Sequence, residues 1–256
     1  MADKIIEKIT STSNSQVKDV VKLFQKKYRT ESQKFIIEGI KPIEQAILYN
    51  YEIEKVFVID TKAQKYSNIS CKTIVVSQEI MKKISTTDSA PEIVAIAKQK
   101  KYSTDIFKTF KKIILLENIK DAGNIGTILR SAVAFGCEGI VLVGDTIDVY
   151  NPKVVRSTVG TMFMIPIVKI NSCDIKTLFP SHKIYATKLH QNNVIRPEQI
   201  DNTQPLLLMF GSEAEGLSDE TSSIADHFVI IEHKDDVESL NLSVAASIVL
   251  YEVFKN

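Results

Sequence analysis

The chain has 256 residues, of which 44% are hydrophobic and 25% charged, with a net charge of +1 at pH 7. This composition excludes a disordered chain and provides enough apolar material for one large or two small domains. Three widely separated cysteines form no CxxC or Cys/His cluster, which argues against a disulfide framework or a zinc site and favours the cytoplasm. The charged N-terminus and the lack of an apolar run of ~20 residues predict neither a signal peptide nor a membrane span.

Charge is distributed unevenly along the chain. Residues 1–111 contain 20 Lys and Arg against 13 Asp and Glu, which gives +7. Residues 112–256 contain 12 against 18, which gives −6. A basic front half predicts that an anionic partner binds there, and a lysine-rich solvated surface is the alternative interpretation.

The first half alternates strands with helices, which predicts a layered α/β domain over residues 1–100. Apolar residues at helical spacing predict a helix over 16–27 that begins near Asn14. Further helices are predicted over 41–51, with Pro42 in the first turn, and from Ser77 to residue 84. Short apolar runs predict strands at 35–37, 56–59, 73–76 and 93–97.

A lysine-rich stretch without periodicity follows, and we place a linker at residues 101–112. Residues 113–256 then read as a second α/β domain that ends in an apolar helix over 243–254. Its strands are predicted at 113–116, 139–143, 184–187, 206–210 and 228–231. Because these strands are almost continuously apolar, they predict a mostly parallel sheet covered on both faces.

The loop after the strand at 113–116 carries the first candidate motif, Asp121-x-x-Asn124-x-Gly126-x-x-x-Arg130. Ligands of open α/β sheets bind at the carboxyl ends of strands, where this loop lies. Taken alone, the motif is better explained by Asn124 as a helix cap and Arg130 as a surface charge.

A second stretch, Asn151-Pro152-Lys153-Val-Val-Arg156, predicts a helix with Asn151 as N-cap and Pro152 at its first position. Lys153 and Arg156 are then neighbours on one helix face, which suits phosphate binding. A solvated helix edge explains the same two cations.

Two more motifs follow apolar strands. Gly211-Ser-Glu213-Ala-Glu-Gly216 comes directly after the strand at 206–210, where glycines expose backbone N–H groups to a ligand. Ser239-Leu240-Asn241-Leu-Ser243 opens the last helix. A strand-to-helix turn and an N-cap cluster explain the two motifs equally well when each is taken singly.

Together, the motifs resemble those of the SpoU/TrmH branch of the SPOUT RNA methyltransferases, with Ser-Leu-Asn-x-Ser-x-Ala-Ala the most specific. The resemblance implies S-adenosylmethionine-dependent methylation of a ribose 2′-hydroxyl in RNA. It also implies a homodimer formed through the second domain and a C-terminal trefoil knot. The stretches Lys18–Gly39 and Ala90–Ala97 are similar to the family's L30e-like substrate-binding domain.

Carried over residue by residue, the resemblance implies a site formed by all three motifs. The reactive cleft would contain Asn124, Arg130, Glu213, Ser239 and Asn241. The cofactor would contact Thr187, Met209, Gly211, Ile231 and Leu240. Because a guanidinium keeps its proton to above pH ~12, we expect Arg130 to stabilise developing oxyanion charge rather than act as a base.

The front half and the Asn151 stretch supply the residues expected to bind RNA. These are Lys26, Lys27, Arg29, Lys153 and Arg156. Cations at these positions would meet phosphate groups. Ribosomal RNA and tRNA are both substrates of the family, and the basic front half favours ribosomal RNA.

One loop departs from the family pattern. The family has Ile-Pro-Met-x-Gly where this chain has Ile231-Glu-His-Lys-Asp235. That loop borders the cofactor pocket, so a non-catalytic RNA-binding relative is the alternative function. A generic nucleotide-binding domain is disfavoured, because the chain has neither Gly-x-Gly-x-x-Gly nor Gly-x-x-x-x-Gly-Lys-Ser/Thr.

Overall fold

The computed structural model describes residues 6–188, 194–234, 236 and 239–255. The chain forms two compact units. The first contains Met1–Lys100 and Asp148–Met164, and the second contains Lys101–Ile147 and Ile165–Asn256. The chain therefore passes from one unit to the other three times, and residues 148–164 belong to the first unit although they lie within the second half of the sequence.

The helices and strands follow in chain order. The strands are β1 (Ile6–Ile9), β2 (Lys34–Glu38), β3 (Ile53–Ile59), β4 (Lys72–Val76), β5 (Ile93–Lys98), β6 (Lys112–Glu117), β7 (Gly139–Val143), β8 (Ile167–Lys169), β9 (Lys183–Thr187), β10 (Val194–Ile195), β11 (Leu206–Phe210) and β12 (His227–Val229). The α-helices are α1 (Ser15–Lys22), α2 (Lys26–Ser32), α3 (Ile40–Leu48), α4 (Gln78–Ile84), α5 (Ala122–Ala134), α6 (Pro152–Ser157), α7 (Ile175–Leu178), α8 (Asp219–Ser222) and α9 (Leu242–Phe254).

The first unit is built on a five-stranded sheet in the order β1-β4-β3-β5-β2. Strands β1, β4 and β3 run parallel, and β5 is antiparallel to both β3 and β2. Val17 and Val20 of α1 and Ile80 of α4 pack in a buried cluster with Phe57 and Ile74 of the sheet. Apolar residues at helical and strand spacing thus bury one common core.

Segment 148–164 completes the aromatic core of the first unit. The ring of Phe163 lies 4.8 Å from that of Tyr51, and the ring of Tyr150 lies 4.6 Å from that of Phe35. The hydroxyl of Tyr150 also bonds the backbone of Lys100 at both the N–H and the carbonyl. Because these contacts join distant parts of the sequence, local periodicity could not predict them.

The helix predicted over 16–27 is divided into α1 and α2. Backbone hydrogen bonds from residue i to residue i−3, such as the one from the Leu23 N–H to the Val20 carbonyl, end the first helix. The Leu23 carbonyl instead accepts a hydrogen bond of 2.8 Å from the buried Arg29 side chain. A side chain six residues further along the chain therefore satisfies the carbonyl that is left without a helical N–H where α1 ends.

The second unit contains a seven-stranded sheet in the order β10-β12-β9-β11-β6-β7-β8. All the pairings of its described strands are parallel, which confirms the predicted mostly parallel sheet. The segment predicted as a linker contains a 3-10 helix, Thr104–Thr109, and its Phe107 is buried in the core of this unit. None of the described helices has the length and apolar character needed to cross a membrane.

The sheet order decides where the candidate motifs meet. Strands β12, β9, β11 and β6 are parallel neighbours, so their carboxyl ends lie at one edge of the sheet. The loops that follow these strands begin at residues 230, 188, 211 and 118. Segments more than 100 residues apart in the sequence are thereby brought to one place.

Candidate active site

A cavity of about 490 Å³ lies at this edge of the second unit. The described residues that line it are Thr187, Lys188, Gly211, Ser212, Glu213, Ala214, Glu215, Gly216, Val229, Ile230, Ile231, His233, Ser239, Leu240, Asn241, Leu242 and Ala245. Four of the expected cofactor contacts, Thr187, Gly211, Ile231 and Leu240, are among them. Met209 is instead buried within β11, where its carbonyl accepts a hydrogen bond of 3.1 Å from the Thr187 hydroxyl.

The turn at Gly211–Gly216 forms one wall of the cavity. Ser212 and Gly216 exchange two backbone hydrogen bonds of 3.1 and 2.9 Å, and Gly216 has a φ of +68°. A Cβ atom on Gly211 would lie 2.0 Å from the carbonyl carbon of Gly216. Only glycine therefore permits this close approach of two backbone segments.

Three polar side chains from the three motifs form a hydrogen-bonded chain. The Asn124 amide donates to the Glu213 carboxylate, and the Asn241 amide donates to the Asn124 carbonyl oxygen at 3.2 Å. The structure thus brings together Asn124, Glu213 and Asn241. Ser239 lines the cavity beside them.

The helix caps explain why these amides are available. Asp121, not Asn124, is the N-cap of α5, and its carboxylate accepts the Asn124 N–H at 2.8 Å. Asn124 lies within the first turn, so its side chain is free to bond Glu213. Asn241 is the N-cap of α9 through its Oδ1 atom, and its Nδ2 atom remains available for Asn124. The capping role that the sequence suggested for Asn124 is wrong.

Arg130 lies on α5, about 9 Å along the helix axis from Asn124 at 1.5 Å per residue. Its side chain is exposed. Within the part of the chain that the structure describes, it forms no ion pair and no side-chain hydrogen bond, and it does not line the cavity. The Arg130 guanidinium therefore has no bonding partner among the described residues.

The loop that departs from the family pattern is held by contacts of its own. The Glu232 carboxylate accepts hydrogen bonds of 2.9 and 2.6 Å from the Arg196 guanidinium. A ring nitrogen of His233 lies 2.9 Å from the Ile231 carbonyl, and His233 lines the cavity. Asp235, the last residue of the departure, lies outside the described residues.

The cations expected to bind RNA occupy different surroundings in the first unit. Lys26 and Lys27 of α2 are exposed. Arg29 is only 1% exposed and bonds the Asp148 carboxylate at 2.7 and 2.8 Å. A buried and paired guanidinium cannot reach a phosphate unless it leaves that pair.

The Asn151 stretch forms the predicted helix, α6, with Asn151 as N-cap and Pro152 at its first position. Lys153 is exposed on this helix. Arg156 is directed at the buried Glu38 carboxylate, at 3.3 Å, and at the Thr86 hydroxyl. The two cations of this helix therefore differ, since Arg156 already has a partner within the unit.

Two charged residues at the carboxyl ends of β6 and β9 were not identified as site residues from the sequence. Glu117, at the end of β6, is 3% exposed and accepts three hydrogen bonds. Lys188 follows β9 directly and lines the cavity. A charged residue immediately after an apolar strand was the available signal, because the carboxyl ends of parallel strands form such sites.

Two family models match the chain. The SpoU rRNA Methylase family matches residues 111–251. The MRM3-like substrate binding domain matches residues 14–95. The two matches correspond to the two halves distinguished in the sequence.

Several proteins are similar over nearly the whole length. An uncharacterized tRNA/rRNA methyltransferase of Synechocystis is 32% identical and covers 96% of this chain and 93% of its own. A 23S rRNA (guanosine(2553)-2′-O)-methyltransferase of Bacillus subtilis is 28% identical, over 97% of this chain and 99% of its own. The crystal structure of an AdoMet-bound rRNA methyltransferase from Sinorhizobium meliloti superimposes with a TM-score of 0.88 at 30% identity, covering 97% of each chain.

Proposed function

The chain belongs to the SpoU rRNA methylase family, and on that basis we propose that it methylates a ribose 2′-hydroxyl of ribosomal RNA. The methyl donor is S-adenosylmethionine. This family is the one that the motifs resembled, so the resemblance is confirmed. The observation that carries the proposal is the chain of hydrogen bonds from Asn241 through Asn124 to Glu213 at the cavity.

The cavity has the lining that this cofactor requires. Val229, Ile231 and Leu240 supply apolar walls for a purine. The carboxylates of Glu213 and Glu215 lie where a sulfonium cation would be favoured. When bound, S-adenosylmethionine supplies an activated methyl group, so the protein needs only to orient the RNA hydroxyl and make it reactive.

The side chains of the cleft supply that position. Asn124 is fixed by Glu213 on one side and by Asn241 on the other, so its orientation is set before RNA binds. We assign to Asn124 and Asn241, with Ser239, the orientation of the hydroxyl. We assign to the exposed Arg130 the positive charge that stabilises the developing oxyanion, while the hydroxyl proton passes to solvent water.

The RNA surface proposed for the first unit consists of Lys26, Lys27 and Lys153. All three are exposed cations, which is what phosphate binding requires. Arg29 and Arg156 are assigned instead to holding segment 148–164 in place, because their partners Asp148 and Glu38 lie within the unit. The basic front half of the sequence supports ribosomal RNA over tRNA.

A homodimer is proposed through α5 and α9. Helix α9 is mostly apolar, and Val244 and Tyr251 are 48% and 51% exposed on it. An apolar helix with an uncovered side favours a protein partner, and a second copy would bring the partner's α5 to that face. Sedimentation equilibrium tests whether the chain is a dimer in solution.

The trefoil knot, the division at residues 101–112 and the cytoplasmic location stay predictions.

The experiment that tests the function is transfer of labelled methyl from S-adenosylmethionine to ribosomal RNA and tRNA that lack native modifications. Label in ribosomal RNA that protects one ribose from alkaline cleavage is the expected result. Folded protein that fails to bind S-adenosylmethionine in calorimetry would contradict the proposal and favour the non-catalytic alternative, for which the altered Glu232–Asp235 loop is the reason.

Arg130→Ala tests the assignment of the reactive charge. We expect cofactor affinity to stay at the wild-type value while methyl transfer falls by ~10²-fold or more, the scale of a lost oxyanion donor. Thr127→Ala, an exposed neighbour one turn earlier on α5, is the matched control and should transfer normally. Equal transfer rates for Arg130→Ala and wild type would remove Arg130 from the mechanism.

A further inference from the structure

The buried carboxylate of Glu117 is bonded to the segment that follows the cofactor turn. It accepts the Ser218 N–H and hydroxyl at 2.8 Å each and the Thr221 hydroxyl at 2.7 Å. Ser218 is the N-cap of α8, and Thr221 lies within that helix. Glu117 therefore joins the carboxyl end of β6 to the start of α8.

Lys188 holds the same helix from the other side. Its ammonium group lies 3.1 Å from the Asp219 carboxylate and 3.1 Å from the Ser222 hydroxyl. Lys188 directly follows β9, and its side chain is 23% exposed. Lys188 therefore joins the carboxyl end of β9 to α8.

The strand order shows that both contacts hold the helix that follows the turn at Gly211–Gly216. Strand β11 lies between β9 and β6, and the turn at Gly211–Gly216 leads from β11 into α8. The turn begins on a central strand, so the position of its far end depends on where α8 is held. Both neighbours of β11 hold it.

We infer that Glu117 and Lys188 are positioning residues for the cofactor turn. By fixing α8 on both sides, they fix the far end of Gly211–Gly216 and with it the cavity wall that carries Glu213. The inference rests on the proposed function, because it assigns the two residues to binding of S-adenosylmethionine.

The two contacts differ in strength. Glu117 is buried, and its loss leaves the buried Thr221 hydroxyl and the half-buried donors of Ser218 without an acceptor. Lys188 is partly exposed and its partner Asp219 is fully exposed, so solvent screens that ion pair. Glu117 therefore dominates the positioning.

The test compares each residue with a control residue whose contacts lie at the amino end of β6 or β9, away from the cavity. Glu117→Gln is paired with Glu138→Gln, whose carboxylate accepts the Lys111 and Lys112 N–H groups at the start of β6. Lys188→Met is paired with Lys183→Met, which loses an ion pair to Asp226 at the start of β9. Affinity for S-adenosylmethionine is measured by calorimetry, and thermal unfolding is measured on the same samples.

We expect Glu117→Gln to weaken S-adenosylmethionine binding roughly tenfold, the scale of one lost hydrogen bond to a charged group. Lys188→Met should weaken it about threefold, as for a partly screened pair. Both controls should bind as wild type does. In the double variant the losses should be less than additive, because both residues act through α8.

Three results would overturn the inference. One is wild-type cofactor affinity in a destabilised Glu117→Gln variant, which would show a structural role alone. Another is additive losses in the double variant, and the third is an equal loss in the controls. Should Glu117→Gln fail to fold, Thr221→Val removes one of its contacts by an isosteric change and must weaken binding in the same direction. Wild-type protein that binds no S-adenosylmethionine would refute the proposed function itself, before any variant is compared.

Discussion

Asn241 is one side chain that serves both the fold and the cleft. Its Oδ1 atom accepts the N–H groups of Ser243 and Val244 at 2.9 and 3.3 Å and so caps α9. Its Nδ2 atom donates to Asn124, which in turn donates to Glu213. Capping of α9 fixes the plane of the Asn241 amide, and this plane directs the Nδ2 donor at Asn124. Helix formation and the preorganisation of the cleft therefore share one residue.

Asn241→Asp separates these two roles. The carboxylate keeps the acceptor that caps α9 but removes the donor to Asn124, so we expect near wild-type stability with methyl transfer reduced ~tenfold or more. Asn241→Ala removes both and should also lower the unfolding free energy by about 1 kcal/mol. Urea unfolding and the methyl-transfer assay measure the two effects. Full activity in the Asp variant would show that the Asn241–Asn124 bond is dispensable.

His182 makes a residue-scale prediction about pH. It is 8% exposed, its Nε2 atom lies 2.8 Å from the Phe110 carbonyl, and its buried Nδ1 atom has no partner among the described residues. Burial lowers its pKa below the ordinary 6.5. The unfolded chain therefore binds the proton more readily, so the unfolding free energy should fall as the pH decreases below about 6.5.

The expected slope is at most about 1.4 kcal/mol per pH unit, the value for one proton. His182→Gln keeps an amide donor for the Phe110 carbonyl and should flatten the dependence between pH 7 and 5. Ser181→Ala, at an exposed neighbour without a titratable group, is the control that should leave the dependence unchanged. Urea unfolding at a series of pH values measures the slope, and an unchanged slope in His182→Gln would contradict the assignment.

At the scale of elements, helix α2 carries cations with opposite roles. Lys26 and Lys27 project into solvent, whereas Arg29 is buried against Asp148 and the Leu23 carbonyl. The same short helix therefore presents charge to a partner and anchors segment 148–164. Sequence spacing places all three cations together, and only burial separates their functions.

Substitutions on α2 test this separation. Lys26→Ala with Lys27→Ala should weaken RNA binding and lower its dependence on salt by about two phosphate contacts, without altering stability. Arg29→Met should lower the unfolding free energy by about 3 kcal/mol, because Asp148 loses its partner, and should bind RNA normally below its melting temperature. Filter binding at several salt concentrations distinguishes the variants. A loss of RNA affinity in folded Arg29→Met equal to that of the lysine variant would show that Arg29 contacts RNA.

At the scale of the whole molecule, the two compact units are not two consecutive pieces of sequence. Segment 148–164 leaves the second unit after Ile147 and returns to it at Ile165. Within the first unit it supplies Phe163 and Tyr150 to the rings of Tyr51 and Phe35. The substrate-binding unit therefore depends on residues that the family model assigns to the methylase half.

This dependence predicts the behaviour of fragments. Residues 1–100 alone should show no cooperative thermal transition, because the aromatic core is left open and Arg29 is left buried without Asp148. The same fragment joined to residues 148–164 by a flexible linker should unfold cooperatively. Circular dichroism with calorimetry compares the two. Cooperative unfolding of residues 1–100 alone at a similar temperature would show that the segment is not needed for folding.

The sequence alone determined those elements that depend only on neighbouring residues, such as apolar runs, helix caps and glycine turns. Apolar runs predicted five of the seven strands in the second unit's sheet and missed the short β8 and β10, and Asn151-Pro152 predicted the start of α6. Glycine at 211 and 216 predicted the turn that lines the cavity, because a Cβ atom on Gly211 would clash with the backbone of Gly216 and Gly216 has a positive φ. The three motifs together predicted the family and its cofactor.

Tertiary structure decided what depends on partners distant in sequence. The burial of Arg29 follows from its ion pair with Asp148, which lies 119 residues further along the chain. Asp121, not Asn124, caps α5, which leaves Asn124 for Glu213. Propensity and periodicity describe the preferences of neighbouring residues, whereas a buried charge is positioned by the partner that compensates its desolvation. That partner is known only once the chain has folded.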